Sequence, residues 1–297
     1  MKSVARYLGV AILGMTLAAV AEGQARPPKV HAIPAATFSQ FECSGFIAAN
    51  GVPGVVQVYN GADNDLYEPS EEFATGDYVY LHRTDHLPFA VGQSYSLVRP
   101  ENGFYLQPVW LSGMLENQVL PPSSRYPFQR LKIESLGRPY DRTGVVEVTK
   151  VTPQGAIAKV VFTCNGVDIA DIGAPYVAPA IPEYTPSRHL SRFAFPNGKL
   201  GGVIVAAAQG ASYLGEGSIG FLDIGKEQGV EPGQRFRIYA IFRHNLPEDL
   251  QGIKPKGETP RETVGEFIIL HVEEKSATGI VVSSLREIAV GDGVELE

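Results

Sequence analysis

Gly233-Gln234-Arg235-Phe236-Arg237-Ile238-Tyr239 and Gly92-Gln93-Ser94-Tyr95-Ser96-Leu97-Val98 open the same way, and the segments downstream of each keep the same order. After a long polar insert the C-terminal copy continues with Val264-Gly265-Glu266-Phe267-Ile268-Ile269-Leu270-His271-Val272, then Gly279-Ile280-Val281-Val282, and closes on Glu287-Ile288-Ala289-Val290-Gly291-Asp292. After its own insert the N-terminal copy runs Gly144-Val145-Val146-Glu147-Val148-Thr149-Lys150-Val151, then Ala156-Ile157-Ala158-Lys159-Val160-Val161-Phe162, and closes on Asp168-Ile169-Ala170-Asp171-Ile172-Gly173. β-Branched and aromatic runs punctuated by Gly, Asn and Asp read as strands and turns. The pattern predicts an all-β chain of two related small β-barrel (SH3-like) domains joined by a proline-rich linker.

Outward from that pair, the boundaries fall at 41–174 for the first barrel with its insert, 175–196 for the linker and 197–297 for the second barrel. The linker carries Pro175, Pro179, Pro182 and Pro186, and proline fixes φ and removes a donor, so a semi-rigid polyproline spacer is expected. Gly201-Gly202-Val203-Ile204-Val205-Ala206-Ala207 is matched to Gly45-Phe46-Ile47-Ala48-Ala49 as the opening of each copy, and Asp168 to Glu287 near its close. Residues 26–40 read as an extended lead-in, and the best helical candidate is the short Ser284–Ile288. In Gly76–Leu81, Val79 and Leu81 share one strand face with Asp77, and Tyr78 and Tyr80 take the other.

The first 25 residues have the layout of a secretory signal peptide: Lys2 and Arg6, an apolar run from Tyr7 to Val20, and small-residue exits at Ala19-Val20-Ala21 and Gly23-Gln24-Ala25. An apolar core of about 14 residues falls short of the roughly 20 that a spanning helix needs. Export to the periplasm or envelope of a bacterium is expected, with no spanning membrane segment after signal removal. In an oxidising compartment Cys43 and Cys164, the chain's 2 cysteines, read as a disulfide tying the first and last strands of the first barrel. The formal charge of −7 argues against a nucleic-acid partner.

Asp223-Ile224-Gly225-Lys226-Glu227-Gln228-Gly229-Val230-Glu231-Pro232-Gly233 resembles the Asp-x-Gly-x-x-x-Gly-Val-x-x-Gly turn of small envelope β-barrels, including the C-terminal domain of flagellar assembly protein T and the barrels of rod-shape scaffold proteins. The ending Val264-Gly265 to Gly291-Asp292-Gly293-Val294 is similar to the close of that domain. Gly76-Asp77-Tyr78-Val79-Tyr80 and Tyr95-Ser96-Leu97-Val98-Arg99 are also similar to the β-repeats that follow LysM modules in bacterial cell-wall proteins, although no LysM repeat occurs here. The resemblance implies a non-enzymatic structural or assembly role in the envelope, with an envelope protein or cell-wall polymer as partner. Gly76, Asp77, Asp223, Gly225, Gly233, Gly291 and Asp292 then specify barrel corners, because glycine permits positive φ and a neighbouring Asp can bond its own backbone.

Chemistry-bearing patterns are sparse. The acidic loop Asp63–Glu72 lacks the EF-hand spacing and its central glycine. Asp168 and Asp171 could serve a paired-carboxylate hydrolase but sit in a closing turn. His82 and His86 are four apart in a strand-then-turn context, and i, i+4 residues converge only on a helix. No Gly-x-Ser-x-Gly elbow, His-Glu-x-x-His helix or phosphate-binding Gly-rich Lys motif occurs. No cofactor, metal or catalytic residue is expected. The aromatic residues Tyr105, Trp110, Tyr126 and Phe128 are the binding candidates: flanking an insert, they could stack on a sugar, which makes carbohydrate or peptidoglycan binding the alternative function.

Overall fold

The computed structural model describes residues 31–61, 72–100, 133–187, 190–240 and 261–297. Two closed six-stranded barrels dominate it. In the first, β3 (Val56–Gly61), β5 (Tyr78–Arg83), β6 (Ser94–Pro100), β7 (Arg138–Thr152), β8 (Gly155–Thr163) and β10 (Ile172–Pro175) pair in the order β7-β6-β10-β3-β5-β8 and back to β7. β2 (Phe46–Ala48) adds to the start of β7, and β4 (Glu72–Phe73) pairs with β9 (Val167–Asp168). In the second, β13 (Gly201–Ala207), β15 (Ile219–Leu222), β16 (Arg235–Ala240), β17 (Arg261–Val272), β18 (Ala277–Ser284) and β20 (Gly293–Leu296) close in the order β17-β16-β20-β13-β15-β18, with β12 (Phe193–Ala194) on β17 and β14 (Tyr213–Leu214) on β19 (Ile288–Ala289). Adding ten to every label from β2 to β10 turns the first pairing scheme into the second. The internal repeat is a repeat of topology.

That equivalence corrects two expected matches. β13 pairs with β15 and β20, as β3 pairs with β5 and β10, so the counterpart of Gly201–Ala207 is Val56–Gly61 and not the stretch at Gly45. The counterpart of β2 is β12. Likewise β4 and β9 place Val167 opposite Phe73 as β14 and β19 place Ile288 opposite Leu214, which aligns Asp168 with Ala289 and Asp171 with Asp292. Glu287 lies outside that register.

Six corners share one hydrogen-bonded design. In Ala74–Asp77, Ala90–Gln93 and Asp168–Asp171 of the first barrel, and Gly215–Ser218, Glu231–Gln234 and Ala289–Asp292 of the second, the fourth residue's N–H donates to the first residue's carbonyl. The fourth side chain accepts the first residue's N–H, through Asp77, Gln93, Asp171, Ser218, Gln234 and Asp292 in turn. The third residue has positive φ at all six: Gly76 (107°), Gly92 (82°), Ala170 (76°), Gly217 (84°), Gly233 (84°) and Gly291 (99°). A left-handed conformation costs an L-residue roughly 1–2 kcal/mol that glycine does not incur. Ala170→Gly is therefore expected to stabilise the chain by about 0.5–1 kcal/mol once the entropy of glycine is set against that cost, and Gly291→Ala to destabilise it by about 1 kcal/mol. Urea titration of both variants, with opposite shifts of midpoint, checks the pair.

Gly225 works differently. Its φ of −147° is extended, and a Cβ there would stand 2.4 Å from the Glu273 carbonyl and 2.5 Å from the Ser276 amide nitrogen. Close backbone approach demands this glycine. Asp223 accepts the Val203 N–H at 2.6 Å and so pins β13 to the turn after β15.

Each barrel has its own core. Val56, Val58, Val79, Leu81, Tyr95, Leu97, Val146 and Val148 point into the first, with Tyr78 outward as its alternation requires. Ile204, Leu222, Phe236, Ile238, Phe267, Ile269 and Val281 fill the second. A further apolar contact joins them. Ile47 packs with Val205, Ala206 and Phe221, and Phe41, Ala35 and Ala36 pack with Ile268, Leu270 and Ile280. The Ser276 hydroxyl donates to the Ile47 carbonyl at 2.7 Å and Thr278 to that of Gly45 at 3.1 Å, so the polar backbone of β2 is satisfied where it is covered.

The proline-rich stretch is tied down and does not hold the barrels apart. Its start continues β10; β11 (Glu183–Tyr184) pairs with β1 (Ile33–Pro34), and the Ala35 N–H donates to Pro182. Beyond it, Arg235 donates to the Thr185 carbonyl and Ser187, Arg237 to the Phe195 carbonyl, and Asn197 to Leu296. These bonds strap Thr185, Ser187, Phe195 and Asn197 to the second barrel. The lead-in also holds a helix, α1 (Phe38–Glu42), whose Thr37 and Gln40 form a reciprocal capping box. Ser284–Ile288 is not helical; it spans the end of β18 and the start of β19.

Candidate functional site

The four residues expected to bind, Tyr105, Trp110, Tyr126 and Phe128, lie outside the described residues, as does the acidic loop except Glu72. The Asp168 and Asp171 carboxylates come together on Arg99: its Nε and Nη2 donate to the two oxygens of Asp171 at 2.8 and 3.0 Å, and its Nη1 lies 2.9 Å from Asp168. Asp171 also accepts the Asp168 N–H. A carboxylate held by a guanidinium fork and a backbone donor is a structural clamp, since its lone pairs are directed at fixed partners. His82 is exposed on β5, and His86 lies in the turn beyond it at φ 59°. Among the described residues no group of His, Cys, Asp and Glu is arranged to hold a metal ion.

The disulfide joins Cys43 to Cys164 with a Cα separation of 5.5 Å. Cys43 caps the C-terminus of α1 and Cys164 follows β8, so the bridge fastens the helix to the barrel instead of linking first and last strands. Phe38 stacks edge-on against Phe162 beside it. The bridge also fixes the helix residues Phe41 and Glu42, and these border a concavity.

That concavity has a volume of about 330 Å³ and lies where α1, the first barrel, the proline-rich stretch and one residue of the second barrel meet. Phe46, Val52, Val98, Pro175, Val177 and Pro179 give it an apolar wall, and Glu42, Ser96, Arg142 and His271 supply polar groups. Glu42 is only 3% exposed and accepts the Tyr176 hydroxyl at 3.2 Å. Arg142, paired with Val98 across β7 and β6, holds its guanidinium carbon 5.3 Å from the centre of the Phe46 ring. Its Nε is buried with no hydrogen-bond partner. Burial lowers the Arg142 pKa, while Glu42 and Glu273 oppose the shift through space. Burial also raises the Glu273 carboxyl, against the pull of Arg142.

His271 closes one side. Its ring packs tilted against Phe41 with centroids 4.1 Å apart and its Nε2 donates to the Phe41 carbonyl at 3.1 Å, which requires only the neutral imidazole. Burial, helped by the Arg142 charge and opposed by the Phe41 hydrogen bond, lowers its pKa from 6.5 to about 4. A histidine held below its unfolded value stabilises the fold fully above about pH 6.5 and loses that contribution as pH falls towards 4. The loss expected over that window is about 3 kcal/mol. Denaturant midpoints measured from pH 7.5 to 4 should fall in the wild type and fall less in His271→Asn, which has no proton to gain.

None of this pocket was expected from sequence. Arg142 sits in a strand read only from Gly144 onward, and Glu42 lies at the head of the first copy, where the sequence reading assigns no helix. The signal available was Thr37-x-x-Gln40, a capping box announcing a helix whose last residue is Glu42. No protein-family profile matches the chain, and no characterised protein is significantly similar to it in sequence. Among the described residues no helix is long and apolar enough to cross a membrane.

Proposed function

We propose that this chain is an exported, non-enzymatic component of a bacterial cell envelope that acts as an assembly or interaction module. The observation carrying the proposal is the six-fold use of one corner: the polar residues that recur between the two copies cap turns, and the acids offered as a catalytic pair are engaged by Arg99. The repeated residues build shape. The export-like N-terminal residues and the Cys43–Cys164 bridge support an oxidising compartment. Since the two barrels pack against each other through Ile47 and Phe41, a partner would meet them as one body.

Crosslinking and pull-down of the mature protein from its own envelope, beside sedimentation with purified cell wall, test the proposal. A defined protein partner is the expected result. Cosedimentation with cell wall that Trp110→Ala abolishes would instead favour glycan binding through the aromatic residues. Turnover of an ester, glycoside or peptide substrate that Asp171→Asn removes would overturn the non-enzymatic reading.

A further inference from the structure

We infer that the pocket bordered by α1 and Arg142 binds a free carboxylate borne on a compact apolar body. A buried charge is costly unless an opposite charge and hydrogen bonds meet it. Among the described residues Arg142 is met only in part: Glu42 and Glu273 act on it through space, but no carboxylate lies at ion-pair distance, Nε has no acceptor, and Glu42 on the pocket wall accepts the Tyr176 hydroxyl. The Phe46 ring supplies partial compensation through its π face. A guanidinium offers paired N–H donors in a planar fork, and carboxylate is the anion whose two oxygens match it.

The rest of the wall sets the size and polarity of the body. At about 330 Å³ the space lies at the small end of the usual 300–1,000 Å³ range for ligand sites. Phe46, Val52, Val98 and the Pro175–Pro179 segment surround it with apolar surface, and Ser96 adds one hydroxyl. Val177 and Ala178 are exposed on its rim, so entry needs no opening of either barrel. Two sources present this chemistry: a short free acid, or the C-terminal residue of a peptide ending in an apolar side chain. The inference does not depend on the envelope role proposed above.

Isothermal titration of the intact mature protein with hexanoate and hexanamide, and with acetyl-Ala-Ala-Val as free acid and as C-terminal amide, separates the possibilities. Saturable binding of at least one acid, at least about tenfold tighter than its amide, is expected. Arg142→Leu should weaken that binding at least about tenfold while raising the thermal midpoint, because it removes a half-buried guanidinium whose Nε has no acceptor; a purely structural arginine would give a lower midpoint. Ala178→Trp leaves Arg142 in place and narrows the rim, and should weaken binding similarly. Preference for hexanoate would identify small acids as the source, and preference for the peptide acid would identify chain termini. Failure of both acids to bind, equal binding of acids and amides, or full binding by Arg142→Leu would overturn the inference.

Discussion

Replacing Cys43 and Cys164 together by serine lowers the stability of the folded chain by about 4–5 kcal/mol, one of the two largest effects expected here. The bridge closes a sequence separation of 121 residues, and the chain-entropy cost of an open loop of that length is about 5 kcal/mol. Little else holds α1 to the first barrel: the ring contact of Phe38 with Phe162 and the Tyr176–Glu42 bond are the principal supplements. The loss should therefore appear first as release of the helix, with exchange of its amide protons, and then as a lower midpoint for the first barrel. Urea titration under oxidising and reducing conditions measures it. A reduced protein with an unchanged midpoint would show that the barrel closes the loop by itself.

Ile47→Asp is expected to have the other large effect. Ile47 is 1% exposed, and its side chain lies among Val205, Ala206 and Phe221 of the second barrel. A carboxylate there would have no counter-charge in that apolar cluster, and burying it would cost more than about 4 kcal/mol, so the contact should open instead. The two cores are separate clusters and retain their own packing. The expected result is two folded barrels with a lost interface: retained β circular dichroism, a lower midpoint and new binding of a hydrophobic dye.

This interface also shows what could be read in advance. β17 runs Phe267-Ile268-Ile269-Leu270, and β13 runs Val203-Ile204-Val205-Ala206-Ala207, both without polar alternation. A strand with one solvated face alternates, and an unbroken apolar run means that both faces are covered. Phe267 and Ile269 do fill the barrel while Ile268 and Leu270 meet Phe41, Ala35 and Ala36. The run marks the strand, and its lack of alternation marks a second covered face.

The repeat itself was legible because Gly92-Gln93 and Gly233-Gln234 perform the same act, glycine turning the chain and glutamine capping the amide three residues back. At the closing corner the same act is done by Ala170-Asp171 and Gly291-Asp292, and the alanine hid the correspondence. Matching acid to acid put Asp168 beside Glu287, whereas the fold aligns positions by backbone sign. The pocket was less legible still. Glu42, Arg142 and His271 are separated by up to 229 residues and converge only because α1 is bridged to one barrel and packed on the other. No local period announces such a meeting.

The most direct test is amide ¹⁵N relaxation on the intact protein, comparing rotational correlation times for residues of β3 to β10 with those for β13 to β20. Two copies of one barrel fastened across Ile47, Phe221, Phe41 and Ile268 should tumble with a single time set by their joint size, and Ile47→Asp should split it. Two shorter and unequal times in the wild type would contradict that fastening and would restore the proline-rich stretch to the part of a spacer.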